Sequence, residues 1–300
     1  MSRRRKGRDV HGILLLDKPA GYSSNQAVQK VRWLYQARKA GHTGSLDPFA
    51  TGMLPVCFGE ASKTAGFMLD ASKTYLASAR FGQATATGDV EGEIISELPM
   101  PDFSAEDFER AFEGFRGPIE QVPPMYSALK LQGQPLYKLA RAGKEVERKP
   151  RSVTIHSLKL IAWQAPVLQF SVHCSKGTYI RTLAEDIAQA MGNCAHLQAL
   201  RRTGVSPFRE KGMISLQEIE QAVQEERQDS LLLPSDAGLE NWPVVCLEDE
   251  AGSRFSHGNP VPVTETHDGN VRVYNRQGQL LGLGELRPGS ELRPRRVFVW

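Results

Sequence analysis

A single acid, Asp47, sits in the stretch "GHTGSLDPFATGML" at residues 41–54, among three glycines, two threonines and Pro48. A carboxylate shown on a turn-rich loop can serve as a nucleophile or steady a developing positive charge. The surrounding sequence argues against other uses. Gly41, Gly44 and Gly52 fit neither the G-x-x-x-x-G-K-[ST] nor the G-x-G-x-x-G spacing, so no nucleotide cofactor is expected. No second carboxylate lies at ligand spacing from Asp47, and the seven histidines form no H-x-x-x-H pair, so no metal is expected. Taken alone, an aspartate ahead of a proline is ordinarily an Asx turn or a helix cap.

The elements that must hold this loop are legible in part. "HGILLLDKPAGYSS" reads as a short apolar strand turning at Pro19 to Gly21. It enters a helix capped by Ser23 with Gln26 three residues on, its inner face carrying Val28, Val31 and Tyr35. In "SKTYLASARFGQ", Tyr75, Ala77, Ala79 and Phe81 alternate with Leu76, Ser78 and Arg80, as a half-buried strand does. "SAEDFERAFEGF" is an amphipathic helix starting at Ser104, and "VTIHSLKLIAW" and "VLQFSVHCS" are strands. "TYIRTLAEDIAQAMG" is a helix with Ile180, Leu183, Ile187 and Met191 along one side, and "SLQEIEQAVQEE" opens with a capping box from Ser215 to Glu218. Strands and helices without regular alternation predict an α+β core, its mixed and largely antiparallel sheet flanked by helices.

Two departures mark the organisation. Residues 121–152 mix glycines, prolines and a basic cluster (Lys130, Lys138, Arg141, Lys144, Arg148, Lys149 and Arg151 against Glu145 and Glu147), which reads as an arm inserted between strands. After residue 240 the pattern becomes short strands divided by glycine turns, with a hairpin centred on Gly278. Residues 1–240 are therefore expected to form one domain and residues 241–300 a small all-β, barrel-like module. In that module seven arginines balance seven acids.

With 300 residues, 40% hydrophobic and 24% charged, the chain has the composition of a soluble globular protein. "ILLL" at residues 13–16 is too short for a membrane span or a signal-peptide core, so a cytoplasmic location and no membrane association are expected. The four cysteines form no C-x-x-C pair and are expected to be buried thiols. Net charge is only +3, but "RRRKGR" at residues 3–8 and the inserted arm concentrate cations densely enough to neutralise a phosphate backbone.

Six stretches read together carry a resemblance. "GILLLDKPAGYSS", "GHTGSLDPFATGMLPVCFGEASK", "SKTYLASARFGQATATGDVEGEI", "QVPPMYSALKLQGQPLYKLARAG" and "SKGTYIRTLAEDIA" with "HLQALRRTGVSPF" resemble the bacterial tRNA pseudouridine-55 synthases, the TruB family, from about residue 11 to 240. The final module is similar to the PUA-type RNA-binding domain that follows the catalytic core in that family. The resemblance implies a pseudouridine-synthase core and an isomerisation of a uridine in the tRNA T loop. The N1 to C1′ bond is broken, the base is turned, and a C5 to C1′ bond is made. Nothing is added or removed, so no cofactor is implied.

By resemblance Asp47 is the catalytic aspartate, whether by attack on the ribose, by attack on the ring or by steadying a glycal route. Arg181 is its cationic partner, and Tyr75 is the face on which a flipped uracil stacks and a relay for the C5 proton. Tyr179 and Leu200 line the same pocket. His42 enters the T loop as the base leaves, and Lys18 with Pro19 buttresses the loop. Lys130 and the rest of the basic arm contact phosphates. The implied partner is the tRNA T stem-loop, bound by a monomer with no obligate protein partner. A guide-RNA-dependent ribosomal-RNA enzyme and a non-catalytic RNA-binding or tRNA-folding protein are the rival readings. The basic arm argues against the first, and the presence of Asp47, Tyr75 and Arg181 against the second.

Overall fold

The computed structural model describes residues 7–300 apart from Gln132, and Lys130 by its backbone alone. The basic stretch that begins at Arg3 is therefore described only at Gly7 and Arg8. In chain order the core runs β1 (Gly12–Lys18), α1 (Ser24–Leu34), β2 (Ala40–His42), β3 (Thr51–Phe58), α2 (Ala65–Leu69) and β4 (Lys73–Phe81). It continues with β5 (Gln83–Thr85), β6 (Ile94–Glu97), α3 (Ala105–Glu113), β7 (Gly117–Gln121), β8 (Lys130–Leu131), β9 (Gln134–Pro135), α4 (Leu136–Arg141), β10 (Arg151–Gln164) and β11 (Val167–Cys174). It closes with α5 (Ile180–Ala190), β12 (Ala195–Val205), β13 (Phe208–Arg209), β14 (Ile214–Ser215) and α6 (Leu216–Gln224).

One sheet organises the core, in the order β14-β1-β3-β12-β4-β11-β10-β7, with β2 on β3 and β13 on β12. Only the β1–β14 and β3–β12 pairs are parallel, so the sheet is mixed and largely antiparallel as expected. The apolar run of β1 has a physical cause. Leu14 and Leu16 pack against α1 and α6, while Ile13 and Leu15 pack on the opposite face with Met68 and Ala237. A strand buried on both faces has no polar side to show. In β4, Tyr75, Ala77, Ala79 and Phe81 are buried under α3 and α5, and Leu76 faces outward. The capping boxes at Ser23, Ser104 and Ser215 all form. Between β7 and β10 the inserted segment makes a two-stranded hairpin and one short helix.

The remainder forms β15 (Val244–Leu247), α7 (Asp249–Ser256), β16 (Val261–Pro262), β17 (Gly269–Asn275), β18 (Leu280–Arg287) and β19 (Glu291–Val297). Its sheet has the order β15-β17-β18-β19-β16 and its own core around Phe255, Val271 and Leu292. Helix α7 was not expected from the glycine-punctuated sequence; Phe255 on its inner face fills that core. Cross-contacts seat this module on the larger sheet. Lys63 Nζ donates to the Val297 carbonyl at 2.7 Å, Arg272 donates to Asp236 at 3.1 Å, and the Phe67 and Trp242 rings meet edge to face. Of the cysteines, Cys57 and Cys174 are buried as expected, whereas Cys194 is half-buried and Cys246 is exposed on the module's outer strand.

Gly52 shows how tightly the sheet holds the Asp47 loop. It is paired with Arg202 across the parallel β3–β12 step at a φ of +97°. A Cβ there would lie 2.3 Å from the Arg202 carbonyl oxygen and 2.9 Å from its nitrogen. Both are backbone atoms of a central strand and cannot retreat. Gly52→Ala is expected to lower unfolding stability by about 2 kcal/mol or more in urea titration; a parent-like midpoint would show that the strands separate freely there.

Candidate active site

Asp47 lies between β2 and β3, on a loop tied down almost wholly through its backbone. The Ser24 hydroxyl accepts from the Leu46 N–H at 2.7 Å and donates to the Leu46 carbonyl at 3.0 Å. Lys18, fully buried, donates through Nζ to the carbonyls of Pro19, Tyr22 and Pro48. Burial lowers its pKa to about 8, with the Asp47 charge opposing the drop. From the other side the buried Arg202 donates to the carbonyls of Gly44, Ser45 and Met53 at 3.0, 3.2 and 2.7 Å.

Arg181 meets the carboxylate from the first turn of α5. Its Nε stands 3.1 Å from Asp47 Oδ2 and its Nη1 3.3 Å from Asp89 Oδ2. The same guanidinium donates to the carbonyls of Thr87 and Tyr126, both at 2.8 Å. The Arg181 and Asp89 side chains are 5% and 4% exposed, whereas that of Asp47 keeps 39%. One carboxylate of this triad is therefore structural and enclosed, and the other remains partly open to solvent. Enclosure by protein still raises the pKa of Asp47 above the ordinary aspartate value; Arg181 is the strongest influence pulling it back, and Asp89 adds to the rise.

The helix that carries Arg181 has no side-chain cap of its own. Gln121, at the end of β7, takes that part by accepting from the Tyr179 N–H at 3.0 Å and donating to the Tyr179 carbonyl at 3.2 Å. Tyr179 is thereby fixed at the helix start, half-buried. Tyr75 and Leu200 lie in the same core cluster as Leu46 and Ala50 of the Asp47 loop. Burial raises the Tyr75 pKa, so the phenol is neutral, and Arg202, opposite it on β12, counters the rise. His42 closes β2. Its Nδ1 accepts from the Gly44 N–H at 3.2 Å, and burial followed by the Arg202 charge lowers its pKa, so it is a neutral imidazole with its proton on Nε2.

Asp47, Arg181, Tyr75, Tyr179, Leu200, His42, Lys18 and Pro19 are thus gathered around one loop, while the side chain of Lys130 lies outside the described residues. Three participants escaped the sequence reading: Asp89, Arg202 and Gln121. "TATGDVEGEI" contains Asp89, and its only local signal is an acid in a turn; Thr87 donates to its carboxylate and the Glu91 N–H does the same. Among the described residues no group of three or more His, Cys, Asp or Glu side chains is placed to hold a metal ion.

Comparison with known proteins decides the kinship. Residues 32–180 match the model of the TruB family pseudouridylate synthase N-terminal domain, residues 181–240 that of the tRNA pseudouridylate synthase B C-terminal domain, and residues 243–298 that of the pseudouridine synthase II TruB C-terminal region. The tRNA pseudouridine synthase B of Pseudomonas aeruginosa (strain UCBPP-PA14) is 51% identical over 295 residues, covering 97% of each chain. That of Stutzerimonas stutzeri (strain A1501) is 50% identical over 299 residues, covering 98% of each. The chain belongs to the TruB family of pseudouridylate synthases. The resemblance read from its six stretches is met, and so is the α+β fold. Among solved structures, a chain in the crystal structure of a Cbf5-Nop10-Gar1 complex aligns with a TM-score of 0.74 at 25% identity, covering 96% of this chain and 85% of that one. A chain of an H/ACA RNP bound to a substrate RNA containing 2′-deoxyuridine shares the fold, with a TM-score of 0.75 at 22% identity over all of this chain and 92% of that one. In this chain the loop aspartate and the α5 arginine are ion-paired, and the β4 tyrosine lies in the core cluster that also holds Leu46 and Ala50 of the aspartate's loop.

Proposed function

We propose that this protein isomerises uridine to pseudouridine in the T loop of tRNA, with Asp47 as its catalytic carboxylate. One observation carries the residue assignment: Asp47 is the exposed member of an otherwise enclosed carboxylate–guanidinium–carboxylate triad. The substrate assignment follows from membership in a family of pseudouridylate synthases and from relatives named for tRNA.

The chemistry asks for a carboxylate that is ionised yet poorly hydrated. Enclosure raises the free energy of the Asp47 anion, which sharpens it as a nucleophile or counter-charge, and Arg181 keeps enough of it ionised to act. The fixed guanidinium forbids the carboxylate to swing away, because Thr87, Tyr126 and Asp89 occupy three of its four other N–H donors. A uracil turned out of the RNA stack finds the Tyr75 ring beside this carboxylate. The isomerisation moves one proton net from C5 to the freed N1, and as a neutral phenol Tyr75 relays it, passing its own proton toward N1 through solvent as it accepts the one leaving C5. His42, uncharged, can fill the gap left in the RNA stack without the cost of burying a cation. A single catalytic carboxylate suits an isomerase, since the second one that retaining glycosidases use to activate water has no task here, and Asp89 is enclosed. Lys18 and Pro19 hold the loop backbone, Tyr179 and Leu200 wall the pocket, and the basic arm that includes Lys130 contacts phosphates. A monomeric, cytoplasmic enzyme with no obligate protein partner completes the proposal; no helix among the described residues is long and apolar enough to cross a membrane.

The test is incubation with an unmodified T-arm stem-loop in EDTA, followed by carbodiimide-stop mapping. A single stop at the T-loop uridine is expected. RNA binding without any stop, on stem-loop and full-length tRNA alike, would convert the reading to an RNA-binding scaffold.

A further inference from the structure

Asp89 sits in the turn that joins β5 to β6, and that turn leaves its carboxylate little freedom. The Gly88 N–H donates to the Thr85 carbonyl at 3.2 Å, and the Ala86 N–H to the Glu93 carbonyl at 2.9 Å. The Asp89 carbonyl accepts from the Thr85 hydroxyl at 2.7 Å and from the Gly92 N–H at 3.3 Å. Strand β12 ties the turn to the main sheet, its Leu197 N–H donating to the Gly88 carbonyl at 3.0 Å.

Within this frame the two oxygens of the Asp89 carboxylate have separate partners. Oδ1 accepts from the Thr87 hydroxyl at 2.6 Å and from the Glu91 N–H at 3.1 Å, both within the turn. Oδ2 is left for Nη1 of Arg181, 3.3 Å away. Thr87 also meets the guanidinium directly, because its carbonyl accepts from the same Nη1 at 2.8 Å. One residue thus touches both members of the buried ion pair, the cation through its backbone and the anion through its side chain. Only the second contact depends on residue type. Room for it is kept at Gly92, where a Cβ would lie 2.4 Å from Thr87 Oγ1.

Arginine and a carboxylate with both oxygens free close into a fork of two parallel N–H···O bonds. Such a fork between Arg181 and Asp89 would turn the guanidinium and compete for the Nε that stands 3.1 Å from Asp47. We propose that Thr87 is a positioning residue for the reaction: by occupying Oδ1 of Asp89, its hydroxyl holds that carboxylate to a single contact with Arg181 and leaves Nε of Arg181 to Asp47. The inference rests on the assignment of Asp47 as the catalytic carboxylate and adds a group that acts on it through two others.

Thr87→Val removes the hydroxyl and keeps the branched shape, while the Glu91 N–H stays on Oδ1. With a T-arm stem-loop as substrate, kcat is expected to fall about tenfold while KM and RNA affinity stay within twofold of the parent. Thr87→Ser should restore most of the rate. In an Asp89→Asn background Thr87→Val should cost nothing further, since both changes act on one contact. A second readout needs no turnover: the Nε–H signal of Arg181 in nitrogen-15 NMR, identified by its loss in Arg181→Met, should exchange with water several-fold faster in Thr87→Val. Failure of the parent to convert the RNA would strike the assigned activity, and the Arg181 signal would still decide the role of Thr87. A parent-like kcat in Thr87→Val overturns the proposal, as does a loss that Thr87→Ser shares. So does a further loss in the Asp89→Asn background or an unmoved Arg181 signal.

Discussion

Asp47→Asn is expected to stop pseudouridine formation, by about 10⁴-fold or more in single-turnover assays, while tRNA affinity stays within a few-fold of the parent. Asparagine has the same shape and still accepts from Arg181 through its carbonyl oxygen, so the loop keeps its tethers at Ser24, Lys18 and Arg202. What is lost is the negative charge. Stability should move the other way. Asp47 has a native pKa above the ordinary aspartate value, so its ionised form costs folding free energy at neutral pH, and that cost grows as pH rises past the unfolded-state value. Replacing it by a neutral amide, which also ends its repulsion with Asp89, removes the cost. A dead but more heat-resistant protein is therefore the expected outcome, read as a rise in Tm at pH 8 that fades toward pH 4. Near-parent conversion by the variant would remove Asp47 from the chemistry, and a fall in Tm would mean that its charge supports the fold.

Arg181→Met acts on the same triad with opposite consequences. Losing the guanidinium withdraws the strongest influence that lowers the Asp47 pKa, leaving enclosure and the Asp89 charge to push it up together. The ionised fraction at neutral pH falls and returns only at higher pH, so the acid limb of the kcat profile should move alkaline. Turnover at pH 7 should drop about 10²- to 10³-fold. The fold suffers as well. Asp89 is buried and loses its countercharge, a situation that costs about 3–5 kcal/mol. The double variant Arg181→Met/Asp89→Asn separates the two effects: urea stability should recover while turnover does not. An unmoved acid limb in the single variant would show that Arg181 merely packs.

Local spacing made much of this protein readable from its sequence. Each capping box pairs residues three apart, and the alternation in β4 reports one buried face, so both survive without knowledge of the tertiary fold. Strand β3 was harder to see because Gly52 and Pro55 argue against a strand and burial on both sides removes any alternation. The exposed hairpin strand β6 gave no pattern, and α7 is too short and too rich in glycine and serine to announce itself. At the site, the resemblance supplied Asp47 with Arg181, which spacing could not bring together. Asp89, Arg202 and Gln121 stayed hidden for a shared reason: much of their work is done on groups far along the chain. Arg202 reaches the Gly44 carbonyl 158 positions away and Gln121 the Tyr179 backbone 58 away, and backbone atoms carry no sequence signature.

Those tethers also set how the Asp47 loop can vary. Ser24, Lys18 and Arg202 all grasp peptide groups, which every residue type supplies. Side chains at positions such as Ser45 are thus free to drift under selection without loosening the grip. An inserted or deleted residue between His42 and Gly52 is different, because it slides every later peptide out of its socket. Outside His42, Asp47, Gly52 and its buried positions, the loop is tolerant of spelling and intolerant of length, so libraries meant to retune its RNA should vary its exposed letters and keep the count.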